Sequence, residues 1–247
     1  MVAELKNRLK NLRLSGILDS LDLRILEAQQ NNHSYTEFLG MILSDEFERR
    51  QNKKLTNLIK NAGLNNEKTL ENYDFTFNPS INPITIKELA TCKFIEHGTN
   101  VFLIGPTGTG KTHLAKAIAH NACRKFFTVL FFNYFQLFNQ MLNSDLNNKL
   151  NTFIKKISQT DLVVIDDFAF KKLNHQSSEY LYAIVDSRYQ RKSMIFTSNK
   201  SISDWPNIFP DPLMANAIMD RIAHNTYQII IKGESYRKKF TPIDQKS

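Results

Sequence analysis

Residues 105–112 read Gly-Pro-Thr-Gly-Thr-Gly-Lys-Thr and directly follow the apolar run at residues 101–104. A stretch with helical spacing comes next, so the order is strand, Gly-x-x-x-x-Gly-Lys-Thr, helix, which is the arrangement of a P-loop. Glycines let backbone N–H groups close around phosphate oxygens, because a side-chain Cβ would obstruct that approach. The motif therefore predicts an α/β fold with a nucleoside triphosphate bound at the end of a strand.

The side chains of this motif suit a magnesium-bound nucleotide. Lys111 would reach the β- and γ-phosphates, and the Thr112 hydroxyl would bind Mg²⁺. The helix that begins here directs the positive end of its dipole at the same anions. We therefore expect ATP with Mg²⁺ as the ligand, bound by nine consecutive residues: Gly105, Pro106, Thr107, Gly108, Thr109, Gly110, Lys111, Thr112 and His113.

Apolar runs and helical segments alternate after residue 100. This alternation predicts a five-stranded parallel sheet with helices on both faces. The predicted strands are residues 101–104, 128–132, 162–165, 194–197 and 227–231, and the predicted helices are residues 111–125, 134–143, 146–158, 177–188 and 212–223.

The first 63 residues show helical spacing and no strand pattern. Ser34 and Glu37 are spaced as the capping box of a long helix. An Asn-rich stretch follows, and Pro83 is suited to open a helix that runs to residue 96. We predict a helical N-terminal domain at 1–63, a connector at 64–82, an α/β domain at 83–240 and a tail at 241–247.

Polar residues follow two of the predicted strands, where parallel α/β sheets form their sites. Asp166 comes after four apolar residues and is placed to bind the metal together with Thr112, while Asp167 could polarise the attacking water. The alternative is an Asp pair that only caps the following loop. Asn199 could orient the same water, although a single Asn at a strand end is commonly a turn residue.

Two arginines late in the chain, Arg221 and Arg237, are candidates to neutralise charge on the γ-phosphoryl group. Either one alone would more simply form a surface salt bridge. His113, His120 and Cys123 share one predicted helix, but two helical turns separate the histidines and no fourth ligand is near, so we expect no metal there.

The net charge of +8 and the pI of about 9.4 favour a polyanionic partner beyond the nucleotide, or else a generally basic surface. Two cysteines form no metal or disulfide pattern and fit reduced structural thiols. The sequence shows neither a signal-peptide core nor an apolar run long enough to span a membrane. We expect a cytoplasmic protein with no membrane partner.

These features in order give a specific pattern. The pattern resembles the IstB-like branch of the AAA+ ATPases, helper proteins encoded beside the transposase of certain insertion sequences, to which DnaC-type helicase loaders are related. The resemblance covers about residues 8–240. It rests on residues 12–16 (Leu-Arg-Leu-Ser-Gly), 105–114, 162–167, 197–199 (Thr-Ser-Asn), Trp205, 220–221 (Asp-Arg) and 233–237 (Gly-Glu-Ser-Tyr-Arg).

By this resemblance, the Walker A residues include Lys111 and Thr112, and the Walker B residues are Asp166 and Asp167. The catalytic residues would be Asp167, Asn199 as sensor 1, Arg221 as arginine finger and Arg237 as sensor 2. Two departures stand out: Thr107 replaces the usual Pro, and Lys171-Lys172 replaces a more apolar stretch.

The resemblance also implies partners. It implies an ATPase, stimulated by nucleic acid, that assembles on double-stranded DNA and recruits or activates a transposase. The helical N-terminal region would mediate self-association or partner contact. The insert at 133–158 would touch DNA, with Lys149, Lys155 and Lys156 as candidate contacts.

Other functions fit parts of the pattern. A helicase loader would share the fold, a small-molecule kinase would need an acceptor site and a lid, and a nucleotide-dependent scaffold would not need the Asp pair. Only 16 residues follow Ile231, too few for a long helical lid. We therefore expect a neighbouring subunit of an oligomer to cover the nucleotide.

Overall fold

Five strands form one parallel sheet, as the alternating pattern predicts. The computed structural model describes residues 2–64, 68–76 and 78–236. The strands are β1 Asn100–Ile104, β2 Val129–Asn133, β3 Leu162–Asp166, β4 Ser193–Ser198 and β5 Thr226–Ile230. They lie in the order β2-β3-β4-β1-β5, and each neighbouring pair is parallel. The predicted fold class is therefore confirmed.

Helices surround this sheet and make up the N-terminal region. In chain order they are α1 Val2–Asn11, α2 Ser15–Gln30, α3 Tyr35–Asn61, α4 Pro83–Ala90, α5 Lys93–Glu96, α6 Lys111–Arg124, α7 Tyr134–Leu146, α8 Leu150–Gln159, α9 His175–Arg188 and α10 Pro212–Ala223, with a 3₁₀ helix at Ile202–Ile208. The chain divides into two compact units, Met1–Asn57 and Leu58–Ser247. The finer domain boundaries expected from sequence stay predictions.

The core of the larger unit lies between the sheet and its helices. Strands β1, β3 and β4 are buried along their whole length. Trp205 of the 3₁₀ helix is fully buried, with its ring centroid 4.8 Å from that of Phe102 and 4.7 Å from that of Phe168. Because Phe168 directly follows Asp167, this aromatic packing fixes the backbone beside a predicted catalytic residue.

The predicted helix from Pro83 to residue 96 is wrong as a single element. The chain forms α4 and α5 instead, and Cys92 between them has a left-handed backbone with φ of 63°. Cys92 is completely buried. Its burial requires the chain to turn at this point, which the helical spacing alone does not reveal.

In the N-terminal unit, α1, α2 and α3 pack around Leu9, Ile17, Leu21 and Ile42. The Ser34–Glu37 capping box is present: the Ser34 backbone N–H donates to Glu37 Oε2 at 2.7 Å, and the Glu37 N–H donates to Ser34 Oγ at 3.3 Å. It satisfies two N–H groups at the start of α3 that have no partner within the helix.

Gly16, the last residue of the segment at 12–16, has a structural role in the same unit. The backbone N–H groups of Gly16 and Ile17 donate to Glu46 Oε2 at 2.6 and 3.3 Å. A Cβ on Gly16 would lie 2.6 Å from the Glu46 Cα, so α2 and α3 can approach this closely only with glycine at that position. The Glu46 carboxylate therefore caps the positive end of α2.

Candidate functional site

The P-loop leaves the carboxyl end of β1 and wraps around the start of α6. Gly108 has φ of 83°, and a Cβ there would overlap the Ser235 side chain. A Cβ on Gly105 would overlap the Ile231 carbonyl oxygen. The Tyr236 N–H also donates to the Gly108 carbonyl at 2.9 Å. The segment after β5 therefore packs directly on the loop, and glycine is required where it does so.

Lys111 is buried beneath this loop. Its Nζ donates to the carbonyl oxygens of Gly105 and Pro106, each at 2.7 Å. The ammonium group is thus positioned within the curve of the loop by the loop's own backbone. A cation placed there is suited to bind phosphate oxygens.

Three side chains from three elements meet at one oxygen atom. Thr112 Oγ1 donates to Asp166 Oδ1 at 2.9 Å, and Thr197 Oγ1 donates to the same oxygen at 2.5 Å. Burial raises the pKa of Asp166, the Thr197 bond opposes that rise, and the negative charge of Asp167 adds to it. The carboxylate thus lies where a cation would stabilise its charged form.

Asp167 is exposed beside this cluster. Its backbone is left-handed, with φ of 56°, and its N–H donates to Thr197 Oγ1 at 3.0 Å. Asn133 Nδ2 donates to Asp167 Oδ2 at 3.2 Å. The Thr197 hydroxyl therefore links the two aspartates, and Asn133 orients the carboxylate of the second.

A cleft of about 380 Å³ opens in front of these groups. The predicted residues Asp167 and Asn199 line it together with the loop. The described residues that line it are Lys68, Asn72, Tyr73, Asp74, Thr107, Gly108, Thr109, Gly110, Lys111, Thr112, His113, Asp167, Asn199 and Tyr236. Thr112 thus lines the cleft, while its partner Asp166 lies buried behind it.

Part of this cleft comes from the segment that the sequence identified only as a connector. The Tyr73 ring packs edge-on against His113, with 5.2 Å between ring centroids. His113 Nε2 lies 3.1 Å from the Thr69 carbonyl and so donates to it. Burial lowers the pKa of His113 and raises that of Tyr73 to about 12, so both rings are uncharged near neutral pH.

Three residues of the site were not found by sequence reasoning. Thr197 was noted only as part of a strand and of the family pattern at 197–199, Tyr73 fell in the connector, and Asn133 fell at the start of the insert expected to touch DNA. Asn133 is the polar residue at the end of β2 and pairs in register with Asp166. The rule that identified Asp166 and Asn199, a polar residue at the carboxyl end of a strand, would have found it too.

Arg221 lies away from the cleft. It is in the last turn of α10, near the amino ends of the strands, and the P-loop is at their carboxyl ends. Its Nε donates to Asp186 Oδ1 at 3.1 Å, one Nη donates to the Tyr182 hydroxyl at 3.2 Å, and its Cζ lies 5.0 Å from the Tyr182 ring centroid. Arg237 lies outside the described residues.

Two absences in the described part of the chain bear on membranes and metals. No helix there is long and apolar enough to cross a membrane. No group of three or more His, Cys, Asp or Glu side chains in the described residues is arranged to hold a metal ion.

Comparison with known proteins identifies the family. A family model described as IstB-like ATP binding protein matches residues 7–242. The chain belongs to this family. IstB-like relatives align along nearly the whole chain. An ATP-binding protein of insertion sequence IS21 from Pseudomonas aeruginosa is 36% identical over 95% of this chain and 88% of the relative. An ATP-binding protein in an insertion sequence of Mycobacterium tuberculosis is 31% identical over 96% of this chain and 95% of the relative.

Solved structures place this IstB-like chain in the AAA+ fold. The crystal structure of the DnaC helicase loader matches with a TM-score of 0.57 and 23% identity, covering 67% of this chain and 97% of the loader. AMPPCP-bound DnaA from Aquifex aeolicus matches with a TM-score of 0.56 and 22% identity, covering 70% of this chain and 53% of DnaA. At these identities the likeness concerns the fold alone.

Proposed function

We propose that this IstB-like protein hydrolyses ATP, assembles as an oligomer on double-stranded DNA, and there recruits or stimulates a transposase. The observation that carries the ATPase part is the meeting of Thr112 and Thr197 at one oxygen of Asp166, directly beside Lys111. A hydroxyl and a carboxylate at the base of a phosphate-binding loop are the oxygen ligands that Mg²⁺ prefers.

Several groups in and behind the cleft have a part in this reaction. Thr112 and Asp166 would hold Mg²⁺, which when bound offsets the charge of the β- and γ-phosphates. Lys111 would bind the γ-phosphate, and Asp167 would orient the attacking water and accept its proton. The Asn199 amide would hold that water in line. Asn133 and Thr197 would keep Asp167 in position.

The relatives favour transposition over helicase loading. The two relatives described above are named as ATP-binding proteins of insertion sequences and align over most of their own length. The likeness to the DnaC loader is weaker in sequence and covers less of this chain. The transposase would be one encoded by the same mobile element.

The surface near α7 and α8 supports DNA binding. Lys149, Lys155 and Lys156 are exposed, as DNA contacts must be. A groove of about 350 Å³ beside α7 is lined by residues that include Phe135, Phe138, Lys171 and Lys172. Lysines can contact the phosphates of duplex DNA, and exposed apolar rings can insert between its base steps. Phe135 and Phe170 are 43% and 56% exposed, with their ring centroids 5.7 Å apart.

The N-terminal unit supports a protein–protein contact. Tyr35, Leu39, Leu43 and Phe47 recur every four residues along α3, and each is more than half exposed. Residues four apart lie on one face of a helix. An exposed apolar row of this kind marks a contact surface, either for another copy of the chain or for the transposase.

The test is ATP hydrolysis with and without duplex DNA, followed as phosphate release. We expect Mg²⁺-dependent hydrolysis that DNA increases, and Lys111→Ala should abolish ATP binding. A matched control, Lys87→Ala on the exposed side of α4, should behave as wild type. Unchanged nucleotide affinity in Lys111→Ala would contradict the assignment of this cleft as the ATP site.

The DNA part is tested separately by salt dependence. A protein that neutralises six phosphates loses about 10³-fold in affinity between about 50 and 200 mM salt. Lys155→Ala/Lys156→Ala should reduce the slope of log affinity against log salt concentration. Lys87→Ala/Lys93→Ala, which removes the same charge elsewhere, should not. If both double variants keep the full slope, the contact lies on another surface.

A further inference from the structure

A second polar cavity lies at the edge of the sheet opposite the P-loop. It has a volume of about 140 Å³ and is formed by the amino ends of β1 and β4, the C-terminal end of α9 and the turn after α10. Asn100, which begins β1, lines this cavity, and Gly105, which follows β1, begins the P-loop. A five-residue strand spans about 16 Å, so the two sites are separate.

The lining of this cavity has one sign of charge. Arg188, Lys192 and Arg221 are its cationic residues, His97 and His224 add imidazole rings, and none of the described residues that line it is acidic. Lys192 and Arg221 have carboxylate partners, Asp161 and Asp186, that are not among those lining residues. The charged side chains that line the cavity are therefore all cationic.

Arg188 is the deepest of these groups and is 1% exposed. Its two Nη atoms donate to four backbone carbonyls, those of Ile157, Thr160, Asp161 and Ser193. Its Nε has no hydrogen-bond partner among the described residues. Burial lowers the pKa of this guanidinium, and the charge of Asp161 only partly opposes that effect.

A buried cation with an unpaired donor is costly unless an anion compensates it. The carbonyls that bind Arg188 satisfy its N–H groups but supply no net negative charge. An anion in the adjoining cavity would supply that charge.

We propose that this cavity binds a phosphate-sized oxyanion between Lys192 and the two histidines, next to the buried charge of Arg188. Its volume exceeds the roughly 30 Å³ that one water occupies several-fold, so the five heavy atoms of a phosphate fit within it. The ligand is phosphate itself or the phosphate of a polynucleotide, since both present the same oxygens. Because this cavity is separate from the P-loop, anion binding in it would not require ATP hydrolysis.

The histidines provide a direct test. Imidazole NMR signals of the full-length protein are followed during titration with inorganic phosphate, against sodium chloride at equal ionic strength. His97 and His224 report on this cavity, His113 reports on the P-loop, and His33 and His175 serve as controls. We expect saturable shifts of His97 and His224 with phosphate and none with chloride.

Substitutions then locate the binding. Arg188→Gln would remove bonds to four carbonyls and destabilise the fold, so the test uses Lys192→Gln, which leaves Arg188 in place. Loss of one nearby positive charge should weaken phosphate binding about tenfold. Lys87→Gln, with the same charge change on α4, should leave it unchanged. A short DNA duplex in phosphate-free buffer distinguishes the sources: shifts of the same histidines identify the polynucleotide, and their absence identifies free phosphate.

Three results would overturn the proposal. The first is that His97 and His224 do not move with phosphate, whether or not His113 does. The second is that chloride moves them equally. The third is that Lys192→Gln and Lys87→Gln, both folded by their unfolding temperatures, bind phosphate with the same affinity as wild type.

Discussion

The two edges of the sheet each hold a buried charge, of opposite sign. At the carboxyl edge, Asp166 is 5% exposed and burial raises its pKa. At the amino edge, Arg188 is 1% exposed and burial lowers its pKa. The first accepts bonds from two hydroxyls and the second donates to four carbonyls. In both cases neutral dipoles satisfy hydrogen bonds without neutralising the charge.

The edges differ in how the sequence builds them. The carboxyl edge uses one contiguous loop, residues 105–112, and polar residues at or just after the ends of β2, β3 and β4. The amino edge draws on four separate segments, and only the Asp-Arg pair at 220–221 belongs to the family pattern. A short motif can be read from sequence because its geometry is local, whereas the amino edge exists only after the strands have paired.

The largest expected effect concerns Arg221, which lies near the amino edge, and ATP hydrolysis at the carboxyl edge of a neighbouring subunit. Arg221 near the amino edge cannot reach the P-loop of its own subunit, so we predict that it completes the site of a neighbour. Arg221→Ala should lower ATP hydrolysis by about 10³–10⁵-fold, the contribution of such an arginine in other NTPases. The assay is steady-state phosphate release.

Mixing variants separates this role from a structural one. Arg221→Ala keeps its pocket and Lys111→Ala keeps its arginine, so each alone should be inactive and a mixture should regain activity that rises with total protein concentration. Sedimentation must show that mixed oligomers form. A mixture that stays inactive although they form, or normal hydrolysis by Arg221→Ala alone, would contradict a shared site.

The next effect concerns the carboxyl edge alone. Asp167→Asn should bind ATP but hydrolyse it about 10²–10⁴-fold more slowly, because it loses the proton acceptor while Thr112 and Asp166 are kept. Binding and turnover are measured on the same preparation. Asp204→Asn, an exposed carboxylate on the 3₁₀ helix, is the matched control. Wild-type turnover in Asp167→Asn would assign proton transfer to another residue.

Substitution of Arg188 at the amino edge should lower the stability of the fold. Arg188→Met leaves four carbonyls without their donor, and each unsatisfied buried group costs about 1–3 kcal/mol. We expect the free energy of unfolding in urea to fall by about 3 kcal/mol or more. Arg191→Met replaces an exposed arginine three residues later. It should change the free energy of unfolding by about 0.5 kcal/mol or less. Equal effects would mean that the Arg188 bonds contribute little.

Sequence reasoning succeeded where the physical signal is local. Alternating apolar runs predicted all five strands, and the capping box at Ser34 fixed the start of α3. The sequence did not predict the break between α4 and α5 at Cys92, because burial of that residue depends on packing rather than on spacing. Among the site residues, the loop, Asp166, Asp167 and Asn199 come from patterns along the chain. The positions of Tyr73 and Thr197 depend on contacts between distant segments.

The smallest effect tests the wall of the cleft that the sequence did not predict. Tyr73 packs on His113, and its hydroxyl lies so close to Gly110 that a Cβ on this glycine would be 2.9 Å from it. An aromatic pair contributes about 0.5–1.5 kcal/mol beyond the area it buries. Tyr73→Ala should therefore weaken nucleotide binding by about tenfold or less, and Tyr73→Phe, which keeps the ring, should weaken it less. Fluorescent-nucleotide titration measures both, with Lys87→Ala on α4 as control. If Tyr73→Ala binds nucleotide as tightly as wild type, the connector only covers the cleft and the P-loop alone sets its affinity.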